Sequence, residues 1–376
     1  MRRAMARRLP LTVVTTPLSS AQARAAVPLA DRTTLRLGGP AARFFRATSA
    51  SDLVDAVRAA DADAEPLLLL GGGSNLVISD EGFAGTVVQI ATTGRRADPL
   101  GDGLVQFTVE AGEDWDDVVA EAVSQGLGGL ECLSGVPGLV GATPVQNVGA
   151  YGVEISQVLT SVDLLDRRSG RVHQRSADSL GLDYRTSVLK GTDHAVVLRA
   201  RFQLTAGGQS APIRYAELAR VLGVEQGDRV PVDAARSAVL ELRRGKGMVL
   251  DAADHDTWSA GSFFTNPVLD DSTLAGVLIR IAERLGSDVA VPAFAAGPGR
   301  QKLSAAWLIE RAGFTKGHRG PGGRVGLSTK HTLALTNRGG ASTLDLLDLA
   351  REVRDGVRLA FGVELHPEPV LVGCSL

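Results

Sequence analysis

The chain has 376 residues, 44% hydrophobic and 22% charged, with a formal net charge of −2. That length exceeds one hydrophobic core and predicts two or three domains, and the balanced charge leaves no footprint for nucleic acid or an anionic membrane. Two cysteines, Cys132 and Cys374, exclude a disulfide framework and suit a reducing cytoplasm, while no apolar run approaches the roughly 18 residues of a membrane span.

The N-terminus, MRRAMARRLPLTVVTTPLSS, begins like a secretory leader. Its apolar part, Leu9–Val14, contains Pro10 and is too short for an h-region, so residues 1–27 are expected to be a poorly ordered extension. Ser51 is the expected cap of a short helix with Leu53, Val54 and Val57 as its buried stripe. Pro66–Leu70 reads as a fully buried strand. It runs into Gly71-Gly72-Gly73-Ser74-Asn75, followed by a second apolar run, Leu76–Ile78. Strand into glycine turn suggests dinucleotide binding, but Leu76 stands where the last glycine of G-x-G-x-x-G belongs and no helix pattern follows. On its own this turn is as well explained by tight structure as by a ligand.

Strands follow at Gly85–Ile90 and at the alternating Leu104–Glu110. A helix from about Asp114 then presents Trp115, Val118, Val119 and Ala122 on one face and is stopped by Gly126. From there to Gly152 runs GLGGLECLSGVPGLVGATPVQNVGAYG, with eight of the chain's 44 glycines and a single charge, Glu131. Clustered glycines cost backbone entropy, so they are useful where positive φ or close backbone approach is required. With Ser134, Thr143, Gln146 and Asn147 interleaved, the loop offers N–H groups and short donors to a polar, phosphorylated ligand. Its leucines and valines argue against a polar linker. Val162–Leu165 and Val172–Gln174 flank Arg168-Ser169-Gly170 as a hairpin, and Ala195–Leu204 is a further strand. The body to this point is α+β, with two glycine loops facing one groove.

Composition shifts at Gly207–Ser210, read as a linker to a separate α/β domain. Its helices are expected at about Val232–Arg244, Ser272–Leu285, Leu303–Ala312 and Thr343–Phe361, the last with Ser342 and Asp345 in capping-box positions. Phe263–Phe264 and His331–Leu335 are strand candidates. In Val363–Val372 two prolines imply an edge strand or an extended segment.

The six histidines are scattered without ligand spacing, so no metal site is expected. Asp251, Asp254, His255 and Asp256 read as a solvated loop or helix cap. Four segments set polar residues among small and apolar ones: Leu182–Ser187, Arg243–Gly247, Ser259–Pro267 and His366–Pro369. Arg243, Arg244 and Lys246 can simply answer a helix dipole. Taken singly, a serine such as Ser262 is more often a turn or cap residue than a catalyst.

Together, however, these segments resemble the UDP-N-acetylenolpyruvoylglucosamine reductase family. Five motifs occur in family order: GGGSN at 71–75, SGVPGLVGATPVQNVGAYG at 134–152, YRTS at 184–187, GSFFTNP at 261–267 and PEP at 367–369. The likeness covers about residues 28–376. It implies an α+β FAD-binding fold of the vanillyl-alcohol-oxidase (PCMH) type. FAD subdomains at 28–96 and 97–228, the second joined by 354–376, would accompany a C-terminal α/β substrate-binding domain at 229–353. It further implies tightly but non-covalently bound FAD, NADPH as co-substrate, and reduction of the enolpyruvyl ether of UDP-N-acetylglucosamine to UDP-N-acetylmuramate for peptidoglycan. A cytoplasmic monomer is the expected form.

By the same resemblance Arg185 stabilises the enediolate formed on the substrate carboxylate, Ser262 protonates it, and Glu368 supports it. Tyr184, Lys246, Asn266 and Lys302 match substrate-binding positions. The cofactor falls to Gly71, Gly72, Gly73, Ser74, Asn75, Ser134, Gly135, Val136, Pro137, Gly138, Gly141, Thr143, Gln146, Asn147, Gly149, Ala150, Tyr151 and Gly152. A regular strand at 182–187 would point Tyr184 and Arg185 to opposite faces, so either the backbone is irregular there or only one of them faces the flavin. His366 departs from the pattern, standing where some members have an acidic residue.

Overall fold

The computed structural model describes residues 24–376. The extension expected at 1–27 lies outside the described residues up to position 23, and its last part is ordered: Arg24–Pro28 is a strand paired with Pro40–Ala47. Among the described residues no helix is long and apolar enough to cross a membrane.

The first sheet orders its strands 24–28, 40–47, 83–90, 67–70, antiparallel in the first pair and parallel thereafter. Parallel strands need a crossover, which helix α1 (Ala50–Ala62) supplies between 40–47 and 67–70. Its cap is Ser49, not Ser51. The Ser49 hydroxyl accepts from the Asp52 N–H and the Asp52 carboxylate accepts from the Ser49 N–H, so two orphan donors are satisfied at once. Leu67–Leu70 is less buried than expected, with only Leu70 fully enclosed, because it forms an edge of the sheet.

The second sheet is antiparallel, in the order 171–176, 159–166, 195–205, 104–110, 95–101. Helix α2 (Trp115–Ser124) packs on it through the stripe the sequence shows, Trp115, Val118, Val119 and Ala122. The Trp115 ring stands edge-on to Phe202 with centroids 5.8 Å apart. Gly126, at φ +67, takes the left-handed position just beyond the helix.

This core continues past the expected linker. The Gly208 N–H donates to Gly126 O, and Ser210 is fully buried with its N–H on Val230 O. Helices α3 (Ala216–Leu222) and α4 (Val232–Gly245) add Leu218, Ala235 and Val239 to the cluster around Trp115 and Phe202. The body of the second sheet therefore extends beyond residue 229.

A second large cluster joins α5 (Asp271–Leu285), α6 (Ala305–Arg311) and α7 (Thr343–Phe361) and reaches Leu35, Leu37 and Val77. A three-stranded sheet (268–270, 300–303, 293–295) and a hairpin (325–327 with 335–337) accompany the helices. Two strand expectations are corrected here. Phe263 and Phe264 spend their hydrogen bonds on loops, with Phe263 N–H on Leu333 O and Phe263 O accepting from Glu368 N–H. They are core plugs, and the ladder at 331–335 begins only at Leu335. Asp254 does cap the turn at 255–257, but Asp256 is buried against Arg338 and Thr329 rather than solvated.

Val370–Val372 returns to pair in parallel with Leu76–Ile78. Helix α7 precedes that return, and its capping box between Ser342 and Asp345 is formed as the sequence predicts. Ser342→Ala is expected to lower stability by about 1 kcal/mol. Urea denaturation of the two proteins checks this, and an unchanged midpoint would show that the cap contributes nothing.

Candidate active site

A cavity of about 380 Å³ opens where the glycine turn 71–75 meets the 136–150 loop, Arg185, Ser262 and Glu368, a size in the range of ligand sites. The two glycine loops touch main chain to main chain. A Cβ on Gly72 would lie 2.9 Å from Gly138 Cα, and one on Gly138, at φ +120, would lie 2.8 Å from Ser74 Oγ. The Ser74 hydroxyl donates to Pro137 O at 3.1 Å and ties the loops together. Among the described residues the N–H groups of Gly72, Gly73, Ser74, Asn75, Gly138 and Leu139 find no protein acceptor. Free amides along a seam where two glycines meet suit an anionic dinucleotide.

Arg185 enters from a tight turn in which Asp183 and Thr186 exchange both backbone hydrogen bonds. Its φ is +52, an uncommon state for a side chain of this size. Such strain of roughly 1–3 kcal/mol gathers at functional sites. Lys190 Nζ holds the turn by donating to Arg185 O at 2.8 Å. The irregular backbone puts Tyr184 and Arg185 together, the guanidinium lying 5.2 Å from the Tyr184 ring centre. Arg185 Nη2 donates to Gly149 O at 2.6 Å, and its nitrogens lie 3.6 Å from Glu368 and 3.9 Å from Glu154. A Cβ on Gly149 would meet Glu154 Cγ at 2.8 Å and Arg185 Nη1 at 3.0 Å.

Glu368 reaches the cavity because the 370–372 strand carries it beside Asn75, whose side-chain amide donates to Gln146 Oε1 at 2.9 Å and Glu368 O at 3.4 Å. Burial pushes its carboxyl above the usual range, and Arg185 and Lys190 offset this only in part. Ser262 follows Gly261, which sits at φ +74, and lines the same cavity. Its hydroxyl has no partner among the described hydrogen bonds, so it is free for a ligand.

The other sequence candidates divide. Gly71–Asn75, Val136, Pro137, Gly138, Thr143, Gln146, Gly149 and Ala150 line the cavity. Ser134, Gly135, Gly141, Asn147, Tyr151 and Gly152 are not among the residues that line it. Gly141 presses on Ala111, and fully buried Asn147 donates to Glu154 and to Asp183 O. Tyr184, Asn266 and Lys302 form a group beside Arg185. Burial raises the Tyr184 pKa, and Lys302 Nζ lies 4.2 Å over its ring. Lys246 stands off the cavity, held by Glu217.

Sequence reasoning missed Lys190 and Glu154, and it read Arg243 as a dipole partner. Arg243 instead lines the cavity, donates through Nη2 to Met248 O at 2.7 Å, and has no carboxylate at ion-pair distance among the described residues. Burial lowers its pKa, so an anionic ligand group would compensate it. Its signal was present in the cationic turn at 243–247.

A UDP-N-acetylenolpyruvoylglucosamine reductase of Saccharopolyspora erythraea is 70% identical over 348 residues, covering 93% of this chain and 95% of that one. The chain belongs to the UDP-N-acetylenolpyruvoylglucosamine reductase family. A relative of the same name from Thermobifida fusca is 58% identical over 93% of this chain and 98% of its own length. Family models describing an FAD binding domain and a UDP-N-acetylenolpyruvoylglucosamine reductase C-terminal domain match residues 41–176 and 253–372. The crystal structure of UDP-N-acetylenolpyruvylglucosamine reductase from Thermus caldophilus superposes with a TM-score of 0.62 at 26% identity, covering 93% of this chain and 98% of that one. The expected α+β FAD-binding fold thus stands, and membership makes the chain an FAD-dependent oxidoreductase. The groove, with its glycine seam and free amides, fits that cofactor.

Gly72→Ala is expected to weaken FAD binding at least about tenfold, since overpacking typically costs 1–3 kcal/mol. Flavin absorbance of the purified variant measures it, and full retention would remove the groove from the cofactor site. For Glu368, a folded pKa above the unfolded value means that ionisation opposes folding above about pH 4.3. Glu368→Gln should therefore raise Tm near pH 7, with the gain shrinking toward pH 4. A gain that grew in acid would reverse the assigned cause.

Proposed function

We propose that the chain reduces the enolpyruvyl ether of UDP-N-acetylglucosamine to UDP-N-acetylmuramate, with NADPH as the electron source, as a monomer in the cytoplasm. One observation carries the reading: Arg185, Ser262 and Glu368, from distant parts of the sequence, line one cavity with both glycine loops. The FAD-binding body would comprise 28–96 and 97–228 with 354–376, and the substrate-binding domain 229–353. The packing of α4 on the second sheet favours moving that boundary past residue 239.

The free amides of 72–75 and 138–139 would hold the FAD diphosphate, with Arg243 available to an anionic group. FAD bound there, once reduced by NADPH, would supply the hydride. Hydride arriving at the terminal carbon of an α,β-unsaturated carboxylate drives charge onto that carboxylate as an enediolate. Arg185, fixed by the Gly149 carbonyl and flanked by two carboxylates, is preorganised to receive this charge. Burial raises the Glu368 pKa, and from its place beside Arg185 Glu368 would support the enediolate. Ser262 delivers the proton to the carbon beside the carboxylate. An alcohol suffices because the enediolate is strongly basic and the donor is positioned. Tyr184, Asn266 and Lys302 would hold the nucleotide-sugar beside Arg185, and Lys246 would bind its diphosphate.

A positioned acid contributes about 10²–10⁴-fold. Ser262→Ala should accordingly leave flavin reduction by NADPH intact while slowing reoxidation by the enolpyruvyl nucleotide at least about 100-fold. Anaerobic stopped-flow separates the two halves, and equal slowing of both would refute the serine's role.

A further inference from the structure

Lys246 closes α4 and is the cation that the family likeness assigns to a ligand phosphate, yet its ammonium lies 2.6 Å from Glu217 Oε2 on α3. Burial disfavours its charge, and the Glu217 hydrogen bond with Tyr151 outweighs that, holding the ammonium above its ordinary range. The helix that carries Glu217 packs at its start against the site loop. Tyr215 packs edge-on to Tyr151 with centroids 5.4 Å apart, and a Cβ on Gly152 would meet Tyr215 N at 3.3 Å. Gly149 and Ala150 of that loop line the cavity. On the other side Lys246 and Lys316 neighbour His331, whose pKa burial brings down to about 4, leaving a neutral imidazole at physiological pH. Among the described residues Glu217 is therefore the carboxylate within ion-pair distance of Lys246, in a neighbourhood otherwise cationic or neutral.

Resting on the reading that Lys246 binds the diphosphate of the nucleotide-sugar, we infer that Glu217 is an internal competitor for that ammonium and sets the affinity of the site. One lysine is a point charge with three donors. A diphosphate offers it more negative charge than a carboxylate does, so ligand entry displaces Glu217. Both side chains are about one-third exposed, 33% for Lys246 and 34% for Glu217. Solvent screening keeps such a pair weak, which makes it a displaceable latch and not a permanent clamp. The same weakness bounds the effect: releasing the lysine should tighten binding by about two- to fivefold.

The test is the dissociation constant of UDP-N-acetylmuramate for oxidised holoenzyme, read by calorimetry at fixed ionic strength. Glu217→Gln should bind about two- to fivefold tighter, Lys246→Met at least about tenfold weaker, and the double variant the same as Lys246→Met alone. Glu241→Gln, an exposed acid on α4, controls for net charge and should change nothing. Glu217→Ser serves if the glutamine variant folds poorly. Unchanged or weaker binding by Glu217→Gln, with Lys246→Met still weakened, overturns the competitor and leaves the phosphate reading standing. Tightening shared by Glu241→Gln overturns it as well, as a diffuse charge effect. No loss in Lys246→Met overturns both.

Discussion

Three residues of parallel pairing, Val370–Val372 against Leu76–Ile78, are the constraint on which the site depends. Parallel strands enter a sheet from the same end, so the segments preceding them must lie side by side. Before one strand stands the glycine turn; before the other stands Glu368 between Pro367 and Pro369. Prolines carry no N–H and a fixed φ, which leaves the Glu368 amide as the donor of that tripeptide, given to Phe263 O. Phe263 is followed by Phe264 and preceded by Ser262, so this short ladder also settles where the serine stands. Core burial of the two phenylalanines, not hydrogen bonding within a sheet, holds that corner.

Charge at the site is balanced locally. Arg185 sits between Glu154 and Glu368, with the Gly149 carbonyl taking one of its N–H groups. A cation compensated this way tolerates partial burial, and the positive φ of its backbone is paid for by the Asp183–Thr186 turn and the Lys190 contact. Glu368 bears the opposite tension, since burial resists its charge while two cations favour it. Groups poised in this way are what proton-handling chemistry requires.

The amphipathic stripe of α2, the Ser342–Asp345 cap and the 159–176 hairpin were legible in the sequence because each is set by neighbours a few residues apart. Ser49 displaced Ser51 as a cap because the reciprocal bond needs a carboxylate three positions on, which Asp52 provides. The two phenylalanines at 263–264 have strand composition, and only tertiary context makes them a plug. Within the 134–152 loop, composition marks a groove but does not separate the glycines that face it from those, such as Gly141, that let the loop pack on Ala111. The partner of Lys246, Glu217, lies on another helix, so a local reading of helix-end cations had no access to it. The crossing at Gly207–Ser210 looked like a linker because glycine and serine mark mobility and close packing alike.

The contact between Gly72 and Gly138 has a bearing on how such a groove can diverge. Where the two loops meet, Gly72 and Gly138 offer main chain only, and substitution changes side chains far more readily than it changes main-chain shape. An inhibitor seated there would meet a surface on which escape by single replacement is sterically blocked from both sides of the seam. Drift in ligand preference, or resistance, would then have to arise among the polar side chains of the lining, such as Arg243 and Gln146.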